Sequence, residues 1–249
     1  MRPWQAFDDE LARWHDAGNT ARFWLRDDDA TQPTPALERL LALGIPLTIA
    51  SIPANATPEL AARLAGEAAA DVAVHGYAHK NHAPKGEKKQ EIGLHRGRAA
   101  ILDELAQGFA RSRQLFGRQL LPLLVPPWNR IDARLVADLP ALGFLGLSTF
   151  GGKTFKPENA LIVIDTHVDI IDWHGTRGGR PLNAVIAELT EALAARRQSG
   201  SGEPIGVLAH HLVHDEAAWT ILKGLVEHTN RQRGAAWVSS RALLGLTPQ

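Results

Sequence analysis

Apolar positions along this chain follow two rhythms that take turns. Short, strongly apolar runs alternate with longer stretches in which apolar residues return every three or four positions. The first kind predicts buried strands and the second amphipathic helices. Arg22–Arg26 (RFWLR) is short and aromatic-rich, which suits a strand. Pro35–Gly44 puts Leu37, Leu40 and Leu41 at helical spacing and closes on Gly44. Ile45–Ile52 is an apolar run of the buried type. Thr57-Pro58 predicts an N-cap with Pro at the first helical position, opening an Ala-rich helix to about Ala70. Asp71–His75 is a third strand, and the polar stretch His79–Glu87, with Pro84 and Gly86, a loop.

In the second half, Leu102, Leu105 and Phe109 share one stripe of a long helix. Leu121–Val125 is a strand ended by Pro126-Pro127, and Asp132 caps a short helix with Leu135, Val136 and Leu139. Gly143–Thr149 and Ala160–Ile171 contain further strands. Pro181 to about Arg197 is amphipathic, with Val185, Ile186, Leu189 and Leu193 inward. Ile205–His210 is a strand, Asp215–Arg233 the last long helix and Ala235–Val238 the last strand.

Strands alternating with helices predict βαβ units around a parallel sheet. Seven or eight such units are enough for a closed barrel, and no internal repeat interrupts them. Ser199-Gly200-Ser201-Gly202 has the composition of a linker but joins a helix to a strand inside the pattern, so it is expected as a surface loop. Residues 1–249 are expected to form one domain, a size that single α/β barrels reach.

Charge and composition narrow the chemistry. The formal net charge is zero, which argues against a general nucleic-acid binder. The absence of cysteine removes disulfides, thiolate metal sites and thiol nucleophiles. A metal site here must use His, Asp or Glu. The N-terminus, MRPWQAFDDELARW, has no apolar signal-peptide core, and no stretch is apolar enough to span a bilayer. A cytoplasmic protein without membrane or nucleic-acid partners is the expectation.

In parallel α/β folds the C-terminal strand ends carry the chemistry, and the unusual polar residues collect there. Asp27-Asp28-Asp29 follows the first strand, His75 ends the third and Pro126-Pro127-Trp128-Asn129 follows the fourth. Asp169, Asp172 and Trp173 follow the strand region near 165, and His210-His211 ends the strand near 205. Three adjacent carboxylates repel one another unless a cation or hydrogen-bond donors neutralise them; a solvated acidic turn is the plainer alternative. His75 and His79 are four apart without the Glu of HExxH, which disfavours a zincin protease.

Taken in order, these segments resemble the motifs of the polysaccharide deacetylase family, which has the NodB-homology domain and is also called carbohydrate esterase family 4. Leu25-Arg26-Asp27-Asp28-Asp29 stands where that family has T-F-D-D-G, and His75-Gly76-Tyr77-Ala78-His79 where it has H-[ST]-x-x-H. Val125-Pro126-Pro127-Trp128-Asn129 weakly matches R-x-P-Y-[GS]. Asp169-Ile170-Ile171-Asp172-Trp173 matches D-x-x-D-W, and Leu208-Ala209-His210 matches L-x-H.

The resemblance implies a deformed (β/α)7-type barrel and one divalent metal ion, for which zinc fits a two-nitrogen, one-oxygen donor set well. It implies Asp28, His75 and His79 as the metal ligands, Asp27 as general base and His210 as general acid. Asp172 would stand behind the acid, Trp128 would supply an oxyanion N–H, and Trp173 would wall the groove. Asn129 and Arg26 are further candidates on the substrate side. The implied activity is metal-dependent removal of an acetyl or similar acyl group from an N-acylated sugar or saccharide.

Three departures stand out. The motif-three Arg is Val125, with Arg26 or Arg130 as candidate substitutes; the Gly after the paired aspartates is Asp29; and Trp128 replaces Tyr. They point to a divergent branch. Two alternatives stay open: a metal-dependent C–N hydrolase of small amides or ureides, and a sugar-binding module without catalysis. His211 rivals His210 as the acid, because neighbouring strand residues face opposite ways.

Overall fold

The computed structural model describes residues 3–151 and 161–247. The chain runs α1 (Pro3–Asp16), β1 (Ala21–Ala30), α2 (Pro35–Leu41), β2 (Leu47–Ser51), α3 (Pro58–Leu64), β3 (Ala70–His75) and α4 (Arg98–Phe116). It continues through β4 (Leu120–Val125), α5 (Ala133–Val136), β5 (Gly146–Leu147), β6 (Ile162–Val163), β7 (Val168–Asp169) and α6 (Leu182–Ser199). It ends with β8 (Ile205–Ala209), α7 (Glu216–Arg231), β9 (Ala235–Trp237) and α8 (Ser240–Leu243). Of the strand region expected over Ala160–Ile171, Ala160 lies outside the described residues.

All strand pairings are parallel, in the order β6-β5-β4-β3-β2-β1-β8-β7, with β9 added beside β1. A flat sheet would hold β6 and β7 about 34 Å apart at about 4.8 Å per strand. The chain from Val163 to Val168 can span only about 18 Å. The sheet therefore curls until its two edges share one stretch of chain, in which Thr166 N–H bonds Thr149 O and His167 N–H bonds Gly206 O. The result is the deformed (β/α) barrel that the family resemblance implies, built from the parallel βαβ units that the alternating pattern predicts.

Strand side chains alternate between two apolar layers. Phe23, Leu25, Ile49, Val72, Ile205 and Val207 face outward and pack with Val185 and Leu189 of α6 and Leu222 of α7. Trp24, Ala50, Ala73, Leu121, Leu123 and Val125 fill the interior. Two expected boundaries differ. The helix opened by Thr57, whose side chain accepts the Leu60 N–H, stops at Leu64, since Ala70 is claimed by the sheet as the partner of Leu47. β1 runs on through the three aspartates instead of ending before them.

α1 is an element the strand-and-helix pattern did not single out. Its residues Phe7, Leu11 and Trp14 recur at helical spacing and are buried, with Trp14 donating its indole N–H to Leu193 O of α6. Leu11→Ala is expected to lower folding stability by about 2–5 kcal/mol, the usual cost of a core cavity. Denaturant unfolding checks this, and an unchanged midpoint would mean that α1 is only loosely docked.

Candidate active site

The pleat of β1 sorts the three aspartates. Arg26 and Asp28 point into the mouth of the barrel, and Asp27, one residue out of phase, points toward the outer layer. There it meets His211, which follows β8: Asp27 accepts the His211 backbone N–H at 2.7 Å and a hydrogen bond from its Nδ1. Both side chains are completely buried. Strict alternation would send Asp29 outward as well. Instead the β1–β2 pairing slips between Asp27 and Ala30, and Asp29 takes φ 79°, a left-handed conformation that Asp tolerates better than most residues. This bulge keeps Asp29 beside Asp28 at the mouth.

Asp29 is the carboxylate that meets the two imidazoles. Its Oδ1 lies 3.1 Å from His75 Nε2 and 3.3 Å from His79 Nε2, and the three candidate ligand atoms sit within 4.8 Å of one another. The sequence reading had put Asp28 there. Asp28 is instead engaged by Arg26, and the bulge delivers its neighbour. The donor set suits a divalent cation in chemistry as well as spacing. His75 is buried, with Nδ1 2.9 Å from Val125 O. A carbonyl only accepts, so Nδ1 carries a proton; the doubly protonated ring donates its Nε2–H to Asp29, and the neutral ring leaves the Nε2 lone pair for a cation. Burial opposes ionisation of Asp29, but the His75 hydrogen bond and the fields of His75, His79 and His210 outweigh it and hold the carboxyl below its ordinary range. Burial likewise opposes charge on His75, and Asp28 and Asp29 outweigh it, lifting its pKa. Burial lowers the pKa of His79, which leaves an imidazole lone pair beside an ionised carboxylate, a donor pair that suits a cation.

Arg26 fills a role that Val125 cannot. It is wholly buried, so it has no surface to offer a substrate, contrary to the sequence-based expectation. Its Nε and Nη2 donate to the two oxygens of Asp28 at 2.9 and 3.1 Å. Nη1 donates to Ser148 Oγ at 2.7 Å and Thr149 O at 3.3 Å, and Nη2 also to Asn129 Oδ1 at 2.5 Å. All five guanidinium N–H groups are thereby satisfied. Asn129, expected on the substrate side, gives its side-chain oxygen to this network.

His210 and His211 separate as adjacent residues at a strand end do. His210 faces the mouth, with Nε2 3.9 Å from Asp28 Oδ2 and its ring edge-on to Trp173 at 4.7 Å. His211 is turned away to Asp27. His214 supports the turn between them: burial pushes its pKa down to about 4, and its neutral Nε2 accepts the His210 backbone N–H at 3.4 Å.

Asp172, expected behind the acid histidine, caps its own loop by accepting the Gly175 and Thr176 N–H groups. Asp169 is the carboxylate whose field reaches His210; burial raises its pKa, and it accepts the Trp173 indole N–H at 2.8 Å. Trp173 is thereby pinned across His210. Trp128 lies on the far side of the cluster, 4.4 Å from the His79 ring, and it, Asn129 and His79 all have left-handed backbones (φ 55°, 57° and 56°). Such strain in non-glycine residues gathers at functional sites. Asp29, Asp169 and His214 were not assigned roles from sequence. The aspartate beyond the paired two was the available signal for Asp29, and the first Asp of DxxDW for Asp169.

No family model matches the sequence, and no curated protein matches it either. Solved structures do match. A protein of Mycobacterium smegmatis assigned to the polysaccharide deacetylases is 16% identical, with a TM-score of 0.71 and coverage of 93% of each chain. The family 4 carbohydrate esterase of Streptomyces lividans, determined with acetate, is 16% identical with a TM-score of 0.57, covering 87% of this chain and 91% of its own. The peptidoglycan deacetylase PdaC of Bacillus subtilis is 17% identical with a TM-score of 0.53, covering 91% and 90%. No helix among the described residues is long and apolar enough to cross a membrane. The chain has the fold of the polysaccharide deacetylases, in a sequence that has moved far from theirs.

Proposed function

We propose that this chain is a metal-dependent hydrolase that removes an acetyl or similar acyl group from the nitrogen of an N-acylated saccharide. The observation that carries the proposal is the meeting of Asp29, His75 and His79 beside a second, braced carboxylate at the strand tips of this fold. Asp29, His75 and His79 would hold the ion in this scheme, and two imidazoles with one carboxylate suit zinc. When bound, such an ion acidifies water and polarises an amide oxygen.

The protein's own groups do the rest. Asp28 is the base: it takes a proton from the water that adds to the acyl carbon. Arg26 holds both of its oxygens in one orientation, and each oxygen keeps a lone pair for the incoming proton. His210 is the acid: it gives a proton to the nitrogen as the C–N bond breaks, so that an amine and a carboxylic acid leave. The Trp128 backbone N–H is assigned to the developing oxyanion. Trp173 forms the wall beside His210, kept upright by Asp169. The Asp27–His211 pair lies outside the mouth and ties β1 to the turn that presents His210. The complete bonding of Arg26 to Asp28 favours catalysis over a binding module that has lost its chemistry, because the brace missing at Val125 is supplied from β1.

Metal analysis and acetate release test this together. The purified protein is expected to hold about one equivalent of divalent metal, and to release acetate from one or more of a panel of acetylated amino sugars and their oligomers. A chelator should abolish release and zinc restore it. Release that persists after the metal has been stripped, or a metal-loaded protein inert on the panel but active on small amides, would overturn the proposal.

A further inference from the structure

The two histidines of the cluster are joined by a loop, Gly76–Ala78, and something must hold that loop still. The geometry points to Glu91 as the positioning residue for His79, an assignment that rests on the metal-site reading above. Glu91 belongs to none of the motifs described. It is 1% exposed. Its Oε2 accepts the Tyr77 N–H at 3.0 Å, and its Oε1 accepts the Ala78 and Lys80 N–H groups at 2.9 and 3.1 Å. Three donors of the ligand loop thus converge on one buried carboxylate, as amides converge on a bound anion in a backbone nest.

The convergence sets the local backbone. Donors of 77, 78 and 80 can point at a single group only if the chain bends sharply on both sides of the loop. The bends are at Gly76 (φ 59°) and His79 (φ 56°). A Cβ at position 76 would fall 2.0 Å from Glu91 Oε2 and 2.6 Å from Pro127 Cδ, so the carboxylate occupies the space that a side chain there would need. A glycine has no side chain with which to tie the loop, and Glu91 ties it from across the gap.

Glu91 is also anchored on its far side. Ile92 bridges to Ile131, and Ile92 O accepts the Asp132 N–H, just beyond Trp128 and Asn129. One short segment therefore registers the loop of His79 against the loop of Trp128, whose ring lies on His79. Arg96, whose charge feels Glu91, gives its own hydrogen bonds to Glu104. The hydrogen bonds to Glu91 come from the loop amides.

A metal ligand on a left-handed residue depends on such outer support, and loss of an outer partner commonly weakens metal binding about 10–100-fold. Glu91→Gln preserves size but offers one oxygen and an NH2 group to three donors. The expected result is zinc binding about 10–100-fold weaker than in wild type, measured by competition with a chromogenic chelator. Amide hydrogen exchange at Tyr77, Ala78 and Lys80 should rise in the metal-free variant. Excess zinc should restore most of the activity of Glu91→Gln, because the groups that touch substrate are intact, and should not restore that of His79→Ala.

Leu189→Ala, in the distant outer layer, serves as the stability control and should bind zinc as wild type does. A Glu91→Gln protein with wild-type zinc affinity and unchanged exchange at the three amides would overturn the assignment while leaving the metal site intact. If wild type itself binds no zinc, the metal-site reading fails first. If Glu91→Gln does not fold, Glu91→Asp decides: its shorter carboxylate should weaken zinc binding, and unaltered affinity overturns the assignment.

Discussion

Asp29→Asn is expected to abolish tight binding of a divalent metal and to lower acyl release by at least about 10³-fold, roughly 4 kcal/mol in the barrier. Asn keeps the shape of Asp and removes the charge. Asp29 Oδ1 is the point on which both His75 Nε2 and His79 Nε2 close. Without its negative charge the two imidazoles face each other around a neutral amide, and the anionic charge in direct contact with both is lost. The effect should be specific to this residue. Asp27 is completely buried against His211, and its Asn variant should retain metal if it folds. Metal titration by calorimetry, beside acetate release, reads both quantities. Wild-type metal affinity in Asp29→Asn, coupled with loss of metal in Asp28→Asn, would return the ligand role to Asp28.

Asp28→Asn is expected to do the opposite: it keeps the metal and loses about 10²–10⁴-fold in kcat, the range associated with a general base. Both carboxylate oxygens of Asp28 are held by Arg26, and Oδ2 stands 3.9 Å from His210 Nε2, so the two proton-handling groups flank one space at the mouth. An amide can still accept from Arg26 but cannot take a proton from water. KM should change little, because the substitution removes an interaction made in the transition state. If Asp28→Asn retains most of its kcat while Asp27→Asn loses it, the base is Asp27 and the alternation argument for β1 fails.

Much of the fold was legible because it rests on periodicity. β2, β3, β4 and β8 lie within a few residues of the apolar runs that predict them, and the caps at Thr57 and Asp132 are made as their residue types require. Helix α1 falls outside the alternation of strands and helices, although Phe7, Leu11 and Trp14 carry helical spacing and are buried. Of the site, the histidines were legible from their place after a strand. Glu91 was not, because a single Glu in a polar loop looks like any solvated acid until three amides of a distant turn are seen to converge on it.

By itself the sequence determined an alternating α/β chain with acids and imidazoles at the strand ends, and a zero net charge without cysteine that confines any metal site to oxygen and nitrogen donors. Only the tertiary structure decided where each of three adjacent aspartates points and what it meets. A strand's side chains obey a period of two until a bulge intervenes, and a bulge belongs to the pairing of two strands, which no single strand's residues reveal. Alternation sends Asp27 outward to His211, and the slip after it brings Asp29 round to the imidazoles. It leaves Asp28 to an arginine two positions away on its own strand.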